Sequence, residues 1–381
     1  MAWCNLKRCN LFKITFMRKL TYLLCMPLLF LGQTGRSQGC IAIRNLAGFG
    51  QFAQLGYAQT KDKWMMDVDN RYFAAHTVLF GRTNETPADL SSGVSLHEWT
   101  TNFEITRLLP NDWSITLDVP VSSNETLGKL EHAQLYYHVT HAFGLGDIRF
   151  SVNKWLLTKV SNRGNIQVGL GIKFPTGNYH SEDYFYEDPN NPAAATLAPV
   201  NVAVQLGDGG TGFTTQINGF YILSSAVNLF GNFFYLISPR DQNGVQAWVP
   251  GSIPPSFFAL QQQTTADVNS VPDNYTMRGG ANFTFDKLVA TTALRYEGVP
   301  AHDLFGQNDG ERKAGHIFSA EPGLQYKFKK SLLYAFVTIP VDRETIQTVP
   351  DQRATKITGT YMITGGHFAN TLFFVGYSFT F

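Results

Sequence analysis

The chain has 381 residues, 14% of them aromatic and only 15% charged, with 34 glycines and a formal net charge of +1. That balance excludes a nucleic-acid partner, which calls for an excess or a patch of Lys and Arg. A mean hydropathy of −0.11, with no apolar run of about 18 residues anywhere past residue 31, excludes a helical membrane protein.

In chain order, the first feature is "MRKLTYLLCMPLLFLGQTGRSQG". Arg18 and Lys19 precede an apolar core from Leu20 to Leu31, which gives way to small and polar residues. This is the layout of a secretory signal peptide, expected over residues 1–38, with Met17 a better start than Met1 and cleavage between Ser37 and Cys40. The cysteines are Cys4, Cys9, Cys25 and Cys40, so processing would leave Cys40 alone and no internal disulfide. Cys40 reads as an ordinary free thiol or as a lipid-attachment site after cleavage at Gly39.

Beyond the leader, apolar and polar residues alternate with period two. "DWSITLDVPV" sets Trp113, Ile115, Leu117, Val119 and Val121 against Ser114, Thr116 and Asp118, which is a strand with one apolar and one polar face. The alternation predicts about twelve strands: 72–81, 97–109, 112–121, 146–157, 165–174, 212–223, 226–238, 274–285, 287–297, 314–328, 332–341 and 367–381. Short connections such as "PND", "SSA" and "KKS" alternate with long ones at 122–145, 175–211, 239–273, 299–313 and 342–366, rich in Asn, Asp, Gly and Pro.

A soluble sandwich would not sort its loops so regularly, and a soluble barrel would turn its apolar face inward. The pattern fits an all-β transmembrane antiparallel barrel with short periplasmic turns and long extracellular loops over residues 72–381, in the outer membrane of a bacterial cell. Strands of about ten residues span a bilayer when tilted. Residues 39–71 form an N-terminal segment read as a plug, an extra strand or a periplasmic tail. Aromatic residues fall at strand ends, Trp113, Tyr326 and Tyr377 at one side and Tyr235, Tyr275 and Tyr296 at the other, as interfacial girdles require.

The polar face would line the lumen with Glu104, Asp118, Arg149, Lys173, Arg278, Arg295, Glu321 and Lys327. The mixture of signs fits wall-bracing salt bridges or a solute path, and argues against a strongly ion-selective ring. Phe220, Phe230 and Phe234 fall on the same face. The chain closes on "FFVGYSFTF", whose Tyr377, Phe379 and Phe381 form an apolar stripe read as an assembly signal for the barrel-assembly machinery. The partners expected are therefore that machinery, outer-membrane lipid and a small-molecule solute.

Enzyme motifs are absent: no G-x-S-x-G elbow, no H-E-x-x-H, no Walker loop, and no Cys/His cluster with metal spacing. No cofactor, metal or catalytic residue is expected. His316 and Ser319 are the pair to weigh for a membrane-embedded hydrolase, but alternation turns them to opposite faces of one strand. "GDGGTG" at 207–212 reads as a flexible strand entrance. The acidic run around Glu182 and Asp183 reads as a solvated loop, ahead of a Ca²⁺ site.

Three stretches, "FGLGDIRFSVNKWLL" (143–157), "GNIQVGLGIKFPTGNY" (164–179) and "LGDGGTGF" (206–213), resemble the outer-membrane barrel family of the meta-pathway of phenol degradation. That family is distantly similar to hydrocarbon and fatty-acid uptake barrels. The resemblance implies passage of small aromatic or other hydrophobic molecules. The rival reading is a non-transport barrel acting through its loops as a structural or surface-interaction protein.

Overall fold

The computed structural model of the protein describes residues 63–381, other than 77, 85–94, 129–131, 133–135, 158–162, 187, 189, 192 and 249–253. The wall is built from β1 (Trp64–Ala75), β2 (Ser95–Leu108), β3 (Trp113–Gly128), β4 (His138–Leu145), β5 (Arg149–Trp155), β6 (Gly164–Lys173) and β7 (Gly212–Ile222). It continues through β8 (Val227–Ile237), β9 (Asn274–Phe285), β10 (Leu288–Val299), β11 (Gly315–Lys327), β12 (Ser331–Thr345) and β13 (Leu372–Thr380). β4 and β5 both pair with β3, along successive stretches of it, so they are two halves of one wall strand and the wall has twelve. β13 pairs with β12 on one side and β1 on the other, closing an antiparallel ring. Closure matters in lipid, where each unsatisfied backbone group costs several kcal/mol.

The end of the wall carrying Trp64 and Phe381, whose backbones bond each other at 3.0 Å, is here termed the turn rim. It also holds the described residues of the connections 109–112, 156–163, 223–226, 286–287 and 328–330. The opposite end, the loop rim, carries the described residues of 76–94, 129–137, 174–211, 238–273, 300–314 and 346–371. Two helices lie in these loops, α1 (Pro255–Thr264) and α2 (Val349–Thr358). A capping box starts α2: the Thr348 hydroxyl accepts from the Asp351 N–H, and the Asp351 carboxylate accepts from the Thr348 N–H.

Each predicted strand has a counterpart in the wall; the last two run Ser331–Thr345 and Leu372–Thr380 rather than 332–341 and 367–381, and two larger corrections concern the first and third. The first strand runs Trp64–Ala75 rather than 72–81, so residues 64–71 belong to the wall and not to an N-terminal segment. Its inner face carries Asp67, Asp69 and Arg71, and that charge hides the alternation. The rest of that segment, with the leader and Cys40, lies outside the described residues. The second correction concerns 122–145, expected as a loop. β3 instead runs on to Gly128 and pairs with β4 from Val121↔Leu145 to Gly128↔His138. "SSNETLG" is polar on both faces, so paired backbone there has no apolar signature.

The two faces follow the predicted alternation. On β3, Ser114, Thr116 and Asp118 are buried inside, while Trp113 and Leu117 are 44% and 37% exposed on the outside. Phe143, Leu170 and Val375 likewise face outward. Near the loop rim the rings of Tyr235, Tyr275 and Tyr296 stand in a row, with centroids 6.5 and 5.6 Å apart. Near the turn rim Tyr377, Phe379 and Phe381 form another, at 6.0 and 5.6 Å. An outward apolar band with aromatic residues at both rims is what a bilayer selects.

Candidate solute path

Strand register assembles the inner charges into a row. Asp67, Glu104, Asp118, Arg149 and Lys173 are successive partners on β1, β2, β3, β5 and β6. Three acids thus meet two bases across five neighbouring strands. Like charges directly opposite destabilise a sheet, and local partners offset this. Asp67 accepts from the Tyr334 hydroxyl at 2.7 Å, Asp69 from the Asn102 amide at 3.1 Å, and Asp118 from Arg149 at 2.6 Å. One strand end away, Arg71 pairs with Glu98 at 3.3 Å.

The far wall carries a second group. Arg295 pairs with Glu297 at 2.7 Å and with Glu321 at 3.7 Å, and Arg278 also pairs with Glu321. These guanidinium groups lie over inner phenylalanines. Arg278 stands 5.0 Å from the Phe230 ring centroid and 4.8 Å from that of Phe336. Arg149 lies 5.2 Å from Phe234, and Arg295 5.7 Å from Phe374. Such contacts draw a cation to the face of a ring within about 6 Å. The interior therefore presents guanidinium groups over phenyl rings.

The three motif stretches meet at the break between β4 and β5. The Asp147 carboxylate accepts from the Gly177 N–H at 3.0 Å, the Asp208 N–H at 3.3 Å and the buried Lys173 ammonium at 3.2 Å. Lys173 also binds Asp208. Thr176 takes over the missing ladder: its hydroxyl accepts from the Ile148 N–H and donates to the Gly146 carbonyl, both at 2.8 Å. A Cβ at Gly177 would meet the Leu206 carbonyl oxygen at 2.7 Å, so only glycine permits this approach. The stretch 207–212, expected to be a flexible strand entrance, is instead pinned through Asp208. Asp147 and Asp208 escaped the sequence reading, although Gly-Leu-Gly-Asp and Gly-Asp-Gly-Gly carried the signal.

Seven of the eight residues expected on the lumen face, Glu104, Asp118, Arg149, Lys173, Arg278, Arg295 and Glu321, are buried inside the wall. Lys327 stands exposed at the turn rim. Phe230 and Phe234 are buried inside as well, and Phe220 is half-buried near the turn rim. Toward the loop rim lies a cavity of ≈ 130 Å³, bounded by Arg71, Glu98 and Asn124 of the wall and by Leu206, Asp208 and Arg312 of the loops. The His316 ring lies tilted beside the outward Tyr296 ring at 5.3 Å, whereas Ser319 is fully buried inside, so the two do not form a catalytic pair. Among the described residues no group of three or more His, Cys, Asp or Glu is placed to hold a metal ion.

No protein-family model matches the chain, and no curated protein matches it significantly. Solved structures do. An outer-membrane channel from Pseudomonas putida F1 superposes with a TM-score of 0.54 at 10% identity, over 84% of this chain and 96% of that one. The translocator domain of the autotransporter NalP from Neisseria meningitidis gives 0.41 at 10% identity, over 87% and 93%. The CymD monoaromatic hydrocarbon channel gives 0.40 at 7% identity, over 91% and 98%. At these identities the first likeness speaks to the fold, and the two weaker scores carry no argument. Closed antiparallel wall, outward apolar band and aromatic rims together make this chain a twelve-stranded β-barrel of the bacterial outer membrane.

Proposed function

We propose that the protein is a channel for passive passage of small solutes, aromatic or hydrophobic ones among them, with the turn rim in the periplasm and the loop rim outside. The observation that carries this reading is the interior of arginine groups placed over Phe230, Phe234, Phe336 and Phe374. Flat π faces beside cations suit planar aromatic solutes, by stacking and by contact with ring electrons. The row Glu104, Asp118, Arg149 and Lys173 and the group Arg278, Arg295 and Glu321 line that path, and Lys327 stands at its periplasmic mouth. The likeness of the three motif stretches to phenol-degradation barrels supports aromatic cargo.

Planar-bilayer conductance and liposome swelling test the reading. Swelling in phenol should exceed swelling in a sugar, and Phe234→Ala should reduce that preference. A purified barrel giving neither conductance nor swelling overturns it. One observation favours the rival, a structural barrel acting through its loops. The inner charges are buried in short ion pairs, as a bracing lattice requires, and that reading expects no passage at all.

A further inference from the structure

The two rims differ in how their cations are partnered. At the loop rim three arginines are paired with carboxylates, Arg82 with Asp342 and Glu344, Arg312 with Asp303, and Arg353 with Asp309, and Arg240 donates to backbone carbonyls. At the turn rim stand Lys63, Arg107, Lys154, Arg163, Lys287, Lys327, Lys329 and Lys330, against the side-chain carboxylates of Asp112 and Asp286 alone among the described residues. Lys330 apart, none of these cations lies in an ion pair with a described carboxylate.

Two of them face the bilayer. Arg107 is the registered partner of Trp64 across β1 and β2, and Lys154 that of Trp113 across β3 and β5. The Arg107 guanidinium lies 4.7 Å from the Trp64 ring centroid, and the Lys154 ammonium 5.1 Å from that of Trp113. Both indoles are exposed on the outer face. Indole rings anchor at the headgroup level of a membrane. The two cations are thereby held at that level, where Arg107 has no protein acceptor among the described residues and the Lys154 ammonium also donates to the Asn111 carbonyl. A guanidinium at that depth donates its hydrogen bonds to phosphate oxygens, and bidentate N–H···O geometry suits it.

We propose that this part of the turn rim is a docking surface for the phosphate headgroups of anionic phospholipids, gripped by Arg107 and Lys154 beside Trp64 and Trp113. The occupant is lipid because the two cations lie on the outward face of the strands, within the aromatic belt. A surface for an acidic protein would place them on the turn tips, clear of the membrane.

The full-length barrel, reconstituted in phosphatidylcholine vesicles, is tested with spin-labelled phosphatidylglycerol and spin-labelled phosphatidylcholine. The motionally restricted fraction of each label reports which lipid occupies the surface. The expected result is a preference for phosphatidylglycerol that weakens with salt and falls about fivefold for each cation removed in R107Q and K154Q. Arg107→Lys keeps the charge and most of the preference, and R82Q at the other rim leaves it intact. Equal association of the two labels at low salt overturns the proposal, as does a preference unchanged in R107Q/K154Q. Should that double variant not fold, persistence of the wild-type preference in high salt overturns it. Binding of soluble polyglutamate by vesicles showing no lipid preference also overturns it, in favour of an acidic protein.

Discussion

Arg278 and Arg295 stand directly opposite each other on β9 and β10, two buried like charges, and one carboxylate, Glu321 of β11, pairs with both. Removing one partner of a buried ionic group leaves the others uncompensated, at a cost of about 3–5 kcal/mol. Glu321→Gln should therefore lower the temperature at which the barrel loses its heat-modifiable mobility on SDS gels. An unchanged transition would mean that the carboxylate is dispensable to the far wall.

Gly376 and Tyr334 form a second relationship of this kind, across β12 and β13, where they are registered partners. The Tyr334 ring lies over the glycine, where any Cβ would collide with it, and its hydroxyl reaches Asp67. Gly376→Ala should destabilise by about 1–3 kcal/mol through overpacking. Tyr334→Phe should cost about 1–3 kcal/mol by leaving a buried carboxylate oxygen without its donor. Denaturant titration by Trp fluorescence measures both, and equal stability of either variant with the wild type counts against the contact.

At the loop rim, burial and the nearby Lys313 charge push the His367 imidazole down from its ordinary value of 6.5 to about 4. Between those values the unfolded segment binds more protons than the folded one, so stability rises with pH. The penalty is absent above about 6.5, grows as the pH falls, and is complete below about 4. Protection factors for amide exchange in 346–371, taken relative to the intrinsic rate at each pH, should thus be lower at pH 4 than at pH 7, and His367→Gln should flatten the difference. Equal protection factors at both pH values would contradict this.

The closing stripe makes a prediction about biogenesis. Tyr377 and Phe381 are 43% and 52% exposed on the outer face, and their strand is bonded on both edges. Deleting Phe381, or replacing Tyr377 and Phe379 by Asp, should block assembly through the barrel-assembly machinery more than any single loop deletion. Outer-membrane levels measured by fractionation decide it, and normal levels of either variant would refute the assembly role.

Much of this barrel was legible in the sequence where one face was apolar. Trp113 to Val121 announce a strand because every second residue is large and oily. The same rule failed at Asp67 to Arg71, where the inner face is charged and the outer face holds Val68 and Tyr72 among polar neighbours. It failed again at 122–128, where neither face is apolar. Glu98, Asp147 and Asp208 were missed for a related reason: alternation along a strand does not name the cation that a carboxylate will meet across the fold.

The sequence by itself determined the architecture and its orientation toward lipid, because period-two alternation depends only on neighbours along the strand. Within the strands it identified, position parity also gave most inward side chains, with Lys327 an exception. Only the tertiary structure decided what those residues do to one another. Register set Asp67, Glu104 and Asp118 side by side, gave Glu321 two arginines, laid guanidinium groups on Phe230 and Phe234, and tied Lys173 to Asp147 and Asp208. Register is fixed by ladders between strands that lie far apart in the chain, and a shift of two residues would preserve every face while changing every partner.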